Sequence, residues 1–164
     1  MRYNNLEAKR HGLPLCERGV ENMARSLILS VSLMPKCYRH IRISESATLY
    51  TLHETILSSL DFDDDHLHAF FMNNRAWDSS ARFGSSRVDL DDARGFSDEA
   101  RLSRFHLQKG DKFLYIFDFG DDWRFQIKVL RVIDEPTKYP DILKSVGQVS
   151  QYGNEEEEEE DDDF

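Results

Sequence analysis

Within eight residues, Asp61, Asp63, Asp64, Asp65, His66 and His68 gather four carboxylates and two imidazoles. These are the ligand types of zinc, manganese and iron sites. His66 and His68 are two apart, so in an extended chain both side chains leave on the same side. A second acidic group, Asp118, Asp121 and Asp122, brackets Phe119-Gly120 further along. The two histidines and a carboxylate from Asp63, Asp118, Asp121 or Asp122 could hold a divalent cation and supply a base for metal-assisted phosphodiester hydrolysis. The competing reading is a polar cluster in which the histidines hydrogen-bond to acidic neighbours, because neither an HExxH motif nor a cysteine accompanies the pair.

Other catalytic patterns are missing. Asp118-Phe119-Gly120 matches the metal-binding tripeptide of protein kinases, but no Gly-rich phosphate loop and no His-Arg-Asp motif accompany it. There is no GxSxG elbow, and Cys37 lies between Lys36 and Tyr38 without an organising histidine motif. Classical nucleotide hydrolysis and acyl transfer are therefore disfavoured.

The elements that must position the histidines and acids are legible from periodicity. Leu27, Leu29, Val31 and Leu33 alternate through 26–34 and predict a strand, and 38–43 continues as a second one after Pro35-Lys36. Thr48 is the expected N-cap of a helix whose Leu49, Leu52, Ile56, Leu57 and Leu60 make one apolar stripe bordered by His53. The aspartates from Asp61 onward should end it. His66 to Met72 predicts a strand with His66, His68, Phe70 and Met72 on one face and Leu67, Ala69 and Phe71 on the other. Lys112 to Phe119 and Trp123 to Ile133 predict a β-hairpin, with Phe113, Tyr115, Phe117 and Phe119 on one face and Asp118 on the other, where it needs a partner. After Pro136 and Pro140, Asp141 to Lys144 reads as a short helical turn.

Composition bounds the rest. A chain of 164 residues with 40% hydrophobic and 12% aromatic residues can build one core without disulfides. The net charge is −10, but Glu155 to Asp163 are nine consecutive acids, and removing them leaves −1. Such a body lacks the bulk positive charge of a general nucleic-acid or membrane binder. The stretch 73–104 interleaves Arg75, Arg82, Arg87, Arg94, Arg101 and Arg104 with six acids, a self-neutralised face. Its neighbours Trp77, Phe83, Phe96 and Phe105 make a phosphate-contacting surface the alternative. Cys16 and Cys37 are the only cysteines and read as reduced thiols. No signal peptide or membrane span is expected, which places the protein in the cytoplasm. Residues 1–25 read as an irregular arm, 26–152 as the domain, and 153–164 as a disordered polyacidic tail suited to a basic protein surface.

At this point the residues resemble a known family. PKCYRHIRI (35–43), TLYTLHETI (48–56), FDDDHLHAFFM (62–72), FLYIFDFGDDWRFQI (113–127) and YPDILKSVGQVSQY (139–152) are similar to segments of the plasmid pRiA4b ORF-3-like family. The resemblance covers most of 26–152. It implies an α+β fold, a mostly antiparallel sheet packed against one principal helix, and no established reaction. Carried over position by position, it makes His53, Asp63, His66, His68, Asp118, Asp121, Asp122 and Trp123 the candidate polar site. A metal would sit at His66, His68 and Asp121. Two departures stand out: Phe125 occupies a position that is often histidine in the family, and 146–150 lacks a Cys-Pro-Pro-Glu-Asp-type segment. The function expected is a non-enzymatic binding or accessory protein, with an unknown protein or nucleic-acid partner in mobile-element or nucleic-acid processes, no membrane, and no cofactor required. The alternative is a metal-dependent hydrolase of phosphodiesterase or nuclease type.

Overall fold

The computed structural model describes residues 24–85 and 96–153. The expected arm and polyacidic tail lie outside them, save for residues 24–25 and 153. Among the described residues eight strands form one sheet: β1 (Ser26–Met34), β2 (Cys37–Ser44), β3 (His68–Phe71), β4 (Arg82–Gly84), β5 (Phe96–Ser97), β6 (Lys112–Phe117), β7 (Trp123–Ile133) and β8 (Asp141–Val146). Their order is β5-β4-β3-β6-β7-β1-β2-β8. Every pairing is antiparallel except β4 with β5. One helix, α1 (Leu49–Leu60), packs on one face. This is the expected single α+β domain.

The helix begins and ends for identifiable reasons. The Thr48 side chain accepts from Thr51 N–H at 3.1 Å, satisfying one of the first-turn donors. Asp61 closes it in the left-handed region at φ 59°, its N–H directed at the carbonyls of Leu57 and Ser58. Leu49, Leu52, Ile56, Leu57 and Leu60 are buried, and so is His53, which lies inside the apolar stripe and not at its border. They meet the inward residues of the sheet, among them Leu29, Ile41, Tyr115, Phe117 and Phe125. Replacing Thr48 with alanine should cost about 1 kcal/mol in chemical denaturation, the usual loss of an N-cap. An unchanged midpoint would show that the cap is dispensable.

Two parts of the hairpin and one later segment differ from the periodicity reading. Alternation holds as far as Phe117, with Phe113, Tyr115 and Phe117 all fully buried. Asp118 then adopts φ 58°, which breaks the pleat. Phe119 thereby crosses to the other face and packs with Ala69, Phe71 and Ile116. Asp141 to Lys144, expected as a helical turn, fall within strand β8 because Ile142 and Lys144 pair with Ile41 and His40 of β2. A four-residue stretch of weak propensity takes the structure its neighbour imposes.

Beyond β8 the chain turns at Gly147, with φ 77°, and runs back beneath the end of α1. Arg39, buried in β2, fastens this corner by donating to the carbonyls of Ser59, Tyr38 and Val146 at 2.9 to 3.0 Å. Gln151 completes the closure. It accepts from Asp63 N–H at 2.7 Å and donates to the Asp63 carbonyl at 3.0 Å and to Asp65 Oδ1 at 3.2 Å. The Tyr152 hydroxyl donates to Asp65 Oδ2. That bond pushes the phenol up to about 12. The acidic loop after α1 is thus held by residues almost ninety positions away, through contacts that local patterning does not contain.

Candidate functional site

Sequence parity puts His68 on the same face of β3 as Phe70, and the structure turns that face toward the helix, where His68 is 1% exposed. Directly above it lies His53 of α1, 0% exposed. The imidazoles stack with centroids 3.5 Å apart and planes 13° from parallel. Each ring has one nitrogen bound to a buried neighbour. His68 Nε2 is 2.7 Å from Asp98 Oδ2, and Asp98 is itself fully buried. His53 Nδ1 is 2.6 Å from the Tyr115 hydroxyl of β6. Burial first, and the charges of Asp64 and Asp98 after it, raise the Tyr115 phenol well above its ordinary value, so it stays protonated.

These contacts fix the tautomers. An ionised carboxylate only accepts, so Asp98 receives the Nε2 proton of His68, and the neutral ring then carries its lone pair on Nδ1. Among the described residues that Nδ1 has no hydrogen-bond partner. On the other ring, His53 Nε2 lies 3.1 Å from Asp64 Oδ2. Asp64 comes from the loop clamped by Gln151, and its side chain retains 27% exposure, which opens this edge to solvent. Ligand atoms of His53, Asp64 and His68 all fall within 4.8 Å of one another. Two imidazoles and a carboxylate are a donor set for a divalent first-row cation, and the hydrogen bonds to Asp98 and Tyr115 orient the rings as outer partners do in metal sites.

The structure divides the residues singled out by sequence. His53 and His68 come together in the interior. His66 stays at the rim, its Nε2 3.3 Å from Asp118 Oδ2 and 3.4 Å from Asp65 Oδ1. Asp118 finds there the partner it required, and its other oxygen accepts from the N–H groups of Gly120 and Asp121. The left-handed positions of this turn are Asp118 and Asp122, not Gly120. Asp121 and Asp122 are exposed, and Asp122 pairs with Arg124 at 2.9 Å. The Asp63 backbone is taken by Gln151. Trp123 stands edge-on to Phe62, centroids 5.2 Å apart. His66, His68 and Asp121 are thus not gathered around one point: the first pairs at the rim, the second inside with Asp98, and the third faces solvent. Asp98 and Tyr115 were not among the candidates, and Asp64 was singled out only as a member of the acidic run after α1. Asp98 sits in the charge-interleaved stretch without any local signal, and Tyr115 reads as one more aromatic of the hairpin.

Two arginines of the charge-interleaved stretch lie on aromatic rings, and Arg101 donates to the Ser46 carbonyl at 3.0 Å. Arg82 lies over Phe119 at 5.5 Å and Arg104 over Phe83 and Phe96 at 5.3 and 5.2 Å. Arg87 and Arg94 lie outside the described residues. Among those residues no helix is long and apolar enough to cross a membrane.

Known proteins give two points of comparison. A crystal structure of a protein of unknown function from Methanosarcina mazei Go1 is similar, with 25% identity and a TM-score of 0.59, over 75% of this chain and 70% of that one. No curated protein matches. The model of the plasmid pRiA4b ORF-3-like proteins matches residues 26–152, the span that holds the whole sheet, the helix and the closing Gln151, and the chain belongs to that family.

Proposed function

We propose that this protein is a binding or accessory protein whose ligand is a divalent first-row cation seated by His53 Nε2, His68 Nδ1 and an Asp64 oxygen. One observation carries the reading: His68 Nδ1 is buried without a hydrogen-bond partner among the described residues, and His68 belongs to the cluster with His53 and Asp64. Leaving such a group unsatisfied costs about 1–3 kcal/mol, a cost that a bound ion removes. A cation on His53 Nε2 shifts that ring to the Nδ1–H tautomer, for which the Tyr115 oxygen is the acceptor. Because both lone pairs must converge on one ion, binding opens the 13° stack.

A metal-dependent hydrolase is the second reading. It is favoured by the exposed edge at Asp64, since three protein ligands leave a coordination position for water or substrate. Hydrolysis of an activated phosphodiester by the loaded protein, absent in Asp64→Ala, would select it.

Metal binding is tested by titrating the protein with Co²⁺, read by visible absorption, and with Zn²⁺, read by calorimetry. One ion per chain is expected, with affinity at least about tenfold lower in Asp64→Ala, in line with loss of a ligand. The ion should raise the melting temperature of the parent protein, because about 2.7 kcal/mol accrues at a hundredfold excess over Kd. A purely structural polar network predicts the contrary result: no stoichiometric uptake and no thermal shift in either protein.

A further inference from the structure

The face of the sheet opposite α1 carries a pattern that only strand register reveals. Lys112 of β6 pairs with Lys128 of β7, Lys128 with Ser30 of β1, Ser30 with His40 of β2, and His40 with Lys144 of β8. One row thus crosses five adjacent strands. At a strand spacing of about 4.8 Å it is roughly 19 Å long. The three lysines are exposed. None has a carboxylate within ion-pair distance among the described residues. Beside it runs a second row, Gln126, Ser32 and Tyr38, in which the Gln126 amide nitrogen is taken by Asn74 and backbone carbonyls while Ser32 and Tyr38 offer a hydroxyl and an aromatic ring. Tyr38 lies 5.2 Å from His40 and carries the Lys144 ammonium at 5.6 Å.

Lys112 and Lys128 stand directly opposite each other, and like charges so placed destabilise a sheet. A solvated face does not require that arrangement, whereas an anionic partner would be attracted by it. His40 feels the same field: burial, and then the charge of Lys144, lower its pKa. Nine of the ten net negative charges sit in 155–163. Screening within about 8 Å at physiological salt lets the local potential of the row decide what approaches it.

We infer that this row is a docking surface for the phosphate backbone of a single-stranded nucleic acid, with the lysines on phosphates and Tyr38 as a stacking platform. Cations tracking a backbone beside an aromatic ring, here the half-buried Tyr38, are the usual chemistry of such surfaces. The inference is independent of the cation site, which lies on the other side of the sheet.

The test is fluorescence anisotropy of a labelled twelve-nucleotide single strand, in DNA and RNA versions, against the full chain at 50 mM salt. Binding is expected in at least one version. Its affinity should fall with salt at a slope of about −2, as three phosphate contacts on a single strand require. The triple variant Lys112→Ala, Lys128→Ala, Lys144→Ala should lose at least tenfold in affinity. Its melting temperature should be no lower than the parent's, since relief of the opposed charges offsets the substitutions; that separates lost binding from lost folding. Failure of the full chain to bind either strand overturns the inference, as does equal binding by the triple variant. Row-dependent capture of a polyglutamate peptide in place of the oligonucleotide also overturns it, and assigns the row to acidic protein segments such as 155–163.

Discussion

Replacing His68 with leucine should destabilise the protein by about 3–5 kcal/mol. The substitution leaves the Asp98 carboxylate, 0% exposed and 2.7 Å from His68 Nε2, buried with its imidazole gone, and removing one member of a buried ionisable pair costs that much. The companion prediction concerns the double variant His68→Leu, Asp98→Leu. Removing the carboxylate together with the imidazole takes away the charge that the single variant strands beside an apolar side chain, and part of the loss should be recovered. Urea denaturation of the four proteins in the cycle measures the coupling. A single-variant loss below about 1 kcal/mol would mean that Asp98 does not depend on His68.

Gly147→Ala should cost about 3 kcal/mol or more, although the residue is exposed on the surface. A Cβ there would stand 2.2 Å from the Lys36 carbonyl oxygen and 2.9 Å from Cys37 Cα, backbone atoms that cannot swing aside. The left-handed φ of 77° adds about 1–2 kcal/mol for a residue bearing a Cβ. The effect should reach beyond stability. Gly147 directs the chain toward Gln151, and Gln151 holds the loop that carries Asp64. Faster hydrogen exchange at Asp63 N–H is therefore expected in the variant, with the centre of β1 unaffected. Uniform loss of protection would show that the closing segment is not a separable unit.

The sequence by itself determined the elements whose signals are local. The 2-residue period of β1 and of the hairpin, the stripe of α1, and the Thr48 cap are set by side chains that choose a face and a backbone shape within a few residues. The same parity put His68 on one face with Phe70, and the packing of α1 made that face the inner one. The family resemblance placed His53 among the site residues. Tertiary structure decided what those histidines meet. Asp98, thirty positions from His68, reaches it because Asp98 N–H donates to the Gly84 carbonyl at the end of β4, beside β3; Tyr115 reaches His53 through the pairing of β3 with β6. Residues 141–146, weak in propensity, became a strand because the edge of β2 supplied the hydrogen bonds. The basic row has the same origin. Lys112, Lys128 and Lys144 are scattered in a chain whose bulk charge is negative, and cross-strand register alone brings them into line, because pairing converts distant positions into neighbours about 4.8 Å apart.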